Sequence, residues 1–201
     1  MPTPATVPAI LPLSLLEAIR NLDTPVEDGL EELAEEIVVR RLGLSPTVAA
    51  QIQRYRQATE REGRVYLDEA VSVLRLVGRR PDAPLVFADG GRRAARYAAR
   101  GRRVPANSLA RRLAQRSAAG IARRVFDGEL RPGPEGSEVR MSEPLSVLAL
   151  PDGAACAFYG AAYGELLRLL TAFEGAMLHE RCRSRGDEAC VWRCAVAEVY
   201  E

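Results

Sequence analysis

The hydrophobic period of this chain changes once, at the turn cluster Pro132-Gly133-Pro134-Glu135-Gly136. Before it apolar residues recur every three or four positions, the spacing of one helix face; after it Val139 and Met141 alternate with polar neighbours, as on a half-buried strand. Helices first, then strands around one late helix, predict an α+β fold rather than a doubly wound sheet. With 201 residues the chain suits a single domain whose helical amino-terminal half packs on a small antiparallel sheet. Residues 1–22 read as an arm and helix, and 23–201 as the body.

Within the first half, Thr24-Pro25-Val26-Glu27 is a capping box ahead of Leu30, Leu33, Ala34, Ile37, Val38 and Leu42, with Gly43 as the stop. Further helices are expected over Thr47 to Arg61, Tyr66 to Val77, Leu85 to Arg100 and from Asn107 or Ser108 to Phe126. In the second half Leu145 to Leu150 reads as a short strand and Phe158 to Phe173 as a helix. Ala176 to Arg183 and Ala189 to Tyr200 read as two strands around a loop. No repeat and no long linker interrupts this order. Met1 to Leu16 is broken by Pro2, Pro4, Pro8 and Pro12 and carries no basic start, so it does not read as a secretory signal. No stretch reaches the length of a bilayer span, and a cytoplasmic address is expected.

Charge narrows the chemistry. The formal net charge is +1, and all 28 basic residues are arginine. Without lysine there is neither a Schiff base nor a Walker-type phosphate lysine. Eleven arginines and no carboxylate lie between Gly90 and Phe126, whereas eight acidic residues against one arginine lie between Leu16 and Ile37. The arginine block reads as a solvated or ion-paired helix face. Tyr97 stands nearly alone among these arginines, so no base-stacking platform is indicated and nucleic acid is not an expected partner. Gly90-Gly91 lacks the rest of a dinucleotide fingerprint, and no Gly-x-Ser-x-Gly elbow occurs.

The cysteines carry the sharpest signal. In a reducing compartment four cysteines point to thiols or metal ligands rather than to two disulfides. Cys182 and Cys190 flank a loop between expected antiparallel strands, where opposed β-carbons approach to roughly 4.5–5.5 Å and two thiolates can share one zinc ion. His179, the single histidine, lies three residues before Cys182 and comes within reach if the strand bends as it enters the loop. Cys156 is free to be a fourth ligand, with Glu180 as an oxygen donor in place of His179. Cys194 lies roughly 13 Å beyond Cys190 on a straight strand. It therefore reads as a core residue beside Trp192.

The run Ala155-Cys156-Ala157-Phe158-Tyr159-Gly160-Ala161-Ala162-Tyr163-Gly164-Glu165-Leu166-Leu167, then His179-Glu180-Arg181-Cys182 and Gly186-Asp187-Glu188-Ala189-Cys190, resembles the carboxyl-terminal signature of the 4-vinyl reductase domain family. That family is related to TRAPP-type vesicle-tethering subunits and to the sensory domains of phenol-responsive activators. The match is best over 140–201. The resemblance implies a dimeric α+β domain around a small hydrophobic ligand, with zinc closing one end of the sheet in the activator branch. There the ligands are a cysteine before the late helix, an acidic residue three before the next cysteine, and two cysteines eight apart. Cys156, Cys182 and Cys190 match the cysteine positions, and His179 stands at the acidic one. Phenol sensing does not carry over, because the histidine and tryptophan that grip the hydroxyl in the sensors are missing upstream; Trp192 follows the cysteines.

The expectation is thus a zinc-stabilised regulatory domain that binds a hydrophobic ligand and signals to a separate protein partner, with Phe158, Tyr159, Tyr163 and Trp192 as candidate pocket residues. Two alternatives stand beside it. One is a tetrapyrrole-handling protein, either a vinyl reductase-like enzyme or a pigment carrier; nothing in the chain forms a recognisable nicotinamide or flavin site. The other is a dimeric scaffold without ligand.

Overall fold

A computed structural model describes residues 5–23, 46–102, 108–133 and 136–195. The capping box at Thr24 and the acidic helix behind it lie outside the described residues, as does the end of the last expected strand beyond residue 195.

Small residues set how the helices stack. Helix α1 (Ile10–Asp23) carries Pro12 in its first turn, where the missing amide costs no helical hydrogen bond, and it is buried from Ile10 to Ile19. Its neighbour is α4 (Ala83–Ala98), whose buried stripe of Gly90, Gly91, Ala94 and Ala95 presents almost no side chain. A Cβ at Gly90 would stand 2.8 Å from Leu15 Cδ2 of α1. One at Gly91 would stand 2.1 Å from the carbonyl oxygen of Phe158, on α7 (Cys156–Thr171). The two adjacent glycines therefore let α4 touch both neighbours, and α1, α4 and α7 form successive layers of one core. Helices α2 (Pro46–Glu60) and α3 (Leu67–Gly78) flank α1, and α5 (Ser108–Phe126) flanks α7.

The far side of α7 lies on a four-stranded antiparallel sheet. Strands β3 (Glu129–Gly133) and β4 (Gly136–Met141) form one hairpin, β5 (Ala176–Arg181) and β6 (Cys190–Ala195) the other, and the spatial order is β3-β4-β6-β5. The register sets Val139 opposite Trp192 and Met141 opposite Cys190. A two-stranded sheet pairs β1 (Thr6–Pro8) with β2 (Arg64–Tyr66). The architecture is the expected α+β one, and α1 shares the core of the body.

One expected strand is a helix. Leu145–Ala149 forms α6, a single short turn-and-a-half after Pro144. A six-residue apolar run does not separate a buried strand from a buried helix by period alone. Here Leu145, Ser146 and Ala149 are the buried positions, which is helical spacing. Strands β1, β2 and β3 were without a sequence expectation. The first two span only three residues each, and β3 contains Pro132 of the turn cluster.

Candidate metal centre

Four donor atoms from three elements meet where α7 begins and the β5–β6 hairpin turns. Single donor atoms of Cys156, His179, Cys182 and Cys190 all lie within 4.8 Å of one another. Sγ of Cys182 is 3.9 Å from that of Cys156 and 3.7 Å from that of Cys190. These separations are far beyond the roughly 2.05 Å of a disulfide, and the cysteines are free thiols. The three sulfurs are buried and the imidazole is half-buried. The arrangement is a closed set of four protein donors that can hold one metal ion.

Local backbone geometry explains why His179 joins the set. On a flat strand residues three apart point to opposite faces. Between His179 and Arg181 the β5–β6 register shifts by a bulge, which is the bend that the histidine needed. His179 is paired with Trp192 across the ladder, and its ring stacks on the indole at 4.6 Å with an 8° interplanar angle. Its Nε2 is buried without a hydrogen-bond partner. Glu180 faces elsewhere: its carboxylate takes a 2.5 Å ion pair from Arg193.

The hairpin turn is held from within. After Cys182 a 3-10 turn, Arg183–Arg185, ends at Gly186, whose φ of 92° belongs to the left-handed region that favours glycine. The Cys182 amide donates to Asp187 Oδ2 at 2.7 Å, and its carbonyl accepts from the Arg185 amide at 2.9 Å. The Arg183 amide points at Cys190 Sγ from 3.4 Å, an interaction that favours a thiolate. Ser146 Oγ lies 3.2 Å from Cys156 Sγ, and Ser184 Oγ 2.9 Å from Cys182 Sγ. Gly153, at φ 78°, closes the site from the loop before α7; a Cβ there would meet Ser184 Oγ at 2.5 Å and Cys182 Sγ at 3.2 Å.

Burial and hydrogen bonding divide the titrating groups. Burial pushes the Cys156 thiol well up, against the hydrogen bond from Ser146. It pushes Cys190 up too, with the Arg183 amide opposing. At Cys182 burial also acts upward, but hydrogen bonds from the Ser184 hydroxyl and backbone prevail and hold the thiol below its ordinary value. Burial and the nearby Arg185 guanidinium lower the His179 imidazole, which keeps it neutral and able to offer a lone pair.

Ser146, Ser184, Asp187 and Gly153 were not among the expected site residues, although Asp187 lies in the signature run. Gly153 had a visible signal in the Pro151-Asp152-Gly153 turn, whereas the two serines become neighbours of sulfur only through the fold. Cys194 is core, as expected: it is buried, and its Sγ sits 3.5 Å from Met177 Sδ. The four candidate pocket aromatics pack on one another, with ring centroids 5.3 Å apart for Phe158–Tyr159 and 5.7 Å for Tyr163–Trp192. Phe158, Tyr163 and Trp192 are buried members of the core in this arrangement. Tyr159 reaches the wall of a cleft of about 710 Å³ between the two sheets' ends, the carboxyl end of α5 and α6.

Fold and site together define a class: an α+β domain in which a Cys3His cluster able to hold a metal ion lies between a helix start and a β-hairpin. Comparison with family models, with curated proteins and with solved structures gives no match, so the resemblance to the 4-vinyl reductase domains stands on the residues quoted for it. Among the described residues no helix is long and apolar enough to cross a membrane.

Proposed function

We propose that this chain is a zinc-stabilised regulatory domain of the 4-vinyl reductase type, in which Cys156, His179, Cys182 and Cys190 hold one zinc ion and the cleft takes a small molecule. The observation that carries the reading is the donor set itself. Three thiols and an imidazole are a preferred zinc combination, and sulfurs bound at about 2.3 Å in a tetrahedron stand roughly 3.8 Å apart. The two sulfur separations of 3.7 and 3.9 Å bracket that value. The partnerless Nε2 of His179 fits the same role, since a buried acceptor without a partner is costly unless something binds it.

Bound there, zinc supplies a cross-link rather than a Lewis-acid centre, because four protein ligands leave no position for a substrate. The chain's own residues do the rest. Ser184 and the Arg183 amide stabilise negative sulfur, and the bulge after His179 turns the imidazole inward. The domain acts as a homodimer that reports occupancy of its cleft to a separate protein partner.

Metal analysis of protein expressed in zinc-replete medium tests the centre. About one zinc per chain is expected, and less than roughly half a zinc overturns it. Native mass spectrometry of protein taken directly from extract tests the ligand role: a retained small molecule supports it, and a bare dimer favours a scaffold instead.

A further inference from the structure

We propose that the cleft selects an amphipathic anion: a small molecule with an apolar body and one carboxylate, sulfonate or phosphate group. This rests on the reading of the chain as a small-molecule-binding domain and adds the chemical class of the ligand. The cleft's volume of about 710 Å³ falls within the usual range of ligand sites, roughly 300–1,000 Å³. Its lining is mixed: Leu11, Leu67, Met141, Leu145, Leu148 and Tyr159 supply much of the apolar part. Its charged rim is unequal. Arg64, Arg123, Arg124 and Arg183 line it against Asp127 and Glu143.

The arginines differ in what already occupies them. Arg64 donates to the Thr6 hydroxyl and carbonyl, at 2.9 and 2.7 Å. Arg183 donates to the Ser142 carbonyl at 2.8 Å. Arg123 and Arg124, in the last turn of α5, have no hydrogen-bond or ion-pair partner among the described residues, although Asp127 lies just beyond that turn. Two adjacent guanidiniums without a partner among the described residues, beside apolar lining residues, match a ligand with one anionic end, because a fork of N–H donors pairs with a carboxylate or phosphate in two parallel bonds. A neutral hydrocarbon would leave both unused.

The cleft also abuts the metal centre. Arg183 is among the cleft's lining residues, and its amide points at Cys190 Sγ. Tyr159 lies one helical turn after Cys156 on α7 and forms part of the same wall. An anion drawn to the rim therefore acts on two elements that the cluster joins.

The test uses the zinc-loaded full chain and two probes with one skeleton, anilinonaphthalene sulfonate and phenylnaphthylamine, which differ by the sulfonate. Calorimetric titration is expected to give one site per chain for the sulfonate, at least tenfold tighter than for the neutral amine, and weakening as salt is raised. The double variant Arg123→Gln/Arg124→Gln should bring the two probes to within about threefold of each other, while Arg123→Lys/Arg124→Lys keeps most of the preference. Thermal melts of both variants confirm that these exposed substitutions leave the fold intact. Equal affinity for the two probes, or a glutamine variant that still prefers the sulfonate, overturns the anion proposal and leaves small-molecule binding itself standing. Binding of neither probe overturns the assignment of the cleft, while the retained-molecule measurement separately decides the broader reading.

Discussion

Helix α7 carries two polar clusters with opposite needs. Toward its carboxyl end Glu165, buried on the face toward α4, is satisfied entirely by protein: Arg168 donates twice, at 2.7 and 2.9 Å, and Arg96 of α4 once, at 2.7 Å. At its amino end Cys156 faces two more sulfurs and an imidazole whose Nε2 has no partner. The first is complete without any guest and serves as a clasp between helices. The second gathers three thiols that have only single, weak hydrogen-bond neighbours and one ring nitrogen that has none, which is how a site differs from a structural ion pair.

Removing the metal tests that contrast most severely. A structural zinc site contributes about 10–16 kcal/mol of apparent binding free energy, comparable to the whole stability of an ordinary domain. Chelation of zinc-loaded protein should therefore lower the melting temperature by more than about 10 °C. Cys182→Ser should do the same, whereas Cys194→Ala should keep its full zinc content. A melting curve unmoved after metal analysis has verified complete removal would dissolve the distinction between the clusters.

Gly91→Ala strikes the scaffold that holds both. Its Cβ would stand 2.1 Å from the Phe158 carbonyl oxygen and 3.0 Å from the Ala162 amide nitrogen, both backbone atoms that cannot rotate away. Separating α4 from α7 should cost about 3 kcal/mol or more, read as a shifted denaturant midpoint. Gly153→Ala is more local. Its left-handed φ of 78° and its crowding of Ser184 Oγ predict a loss of about 2 kcal/mol together with faster zinc release to a chelator.

Glu165→Gln should be the mildest, near 1 kcal/mol once the solvent exposure of Arg96 and Arg168 is allowed for, with zinc retained. It also carries a pH signature. The hydrogen bonds from Arg168, opposed by burial and aided by Arg96, hold the Glu165 carboxyl at about 2, below the usual 4.3. A depressed folded-state value stabilises above the unfolded one and is lost as pH falls, so the contribution is complete above roughly pH 4.5 and fades toward pH 2. Urea midpoints of wild type and Glu165→Gln should converge across that window; parallel curves would refute the linkage.

The sequence's reach was uneven, for physical reasons. Five helices of the described residues stood within about three residues of their expected ends, because amphipathic spacing and glycine stops are local signals. Cys156, Cys182, Cys190 and His179 were legible from spacing and resemblance, yet the grouping needed the bulge at His179, which depends on pairing with β6 and has no local mark. The aromatics were less legible. Tyr163 and Trp192 carry the same side chains whether they line a pocket or fill a core, and their burial, with Gly160 of α7 close enough that a Cβ would lie 3.3 Å from Trp192 Nε1, comes only from the fold. The cleft was invisible in sequence because its wall draws on residues from Ala5 to Arg183.

The irregularity in β5 has a consequence for how such a chain tolerates change. A strand offers each side chain only two directions, so the number of residues between His179 and Cys182 acts as a parity bit, and the extra residue in the ladder sets it to the value that unites nitrogen with sulfur. Losing or gaining one residue there would send the imidazole to the opposite face while leaving every cysteine where it is. Point substitutions can wander widely along this strand; its length cannot.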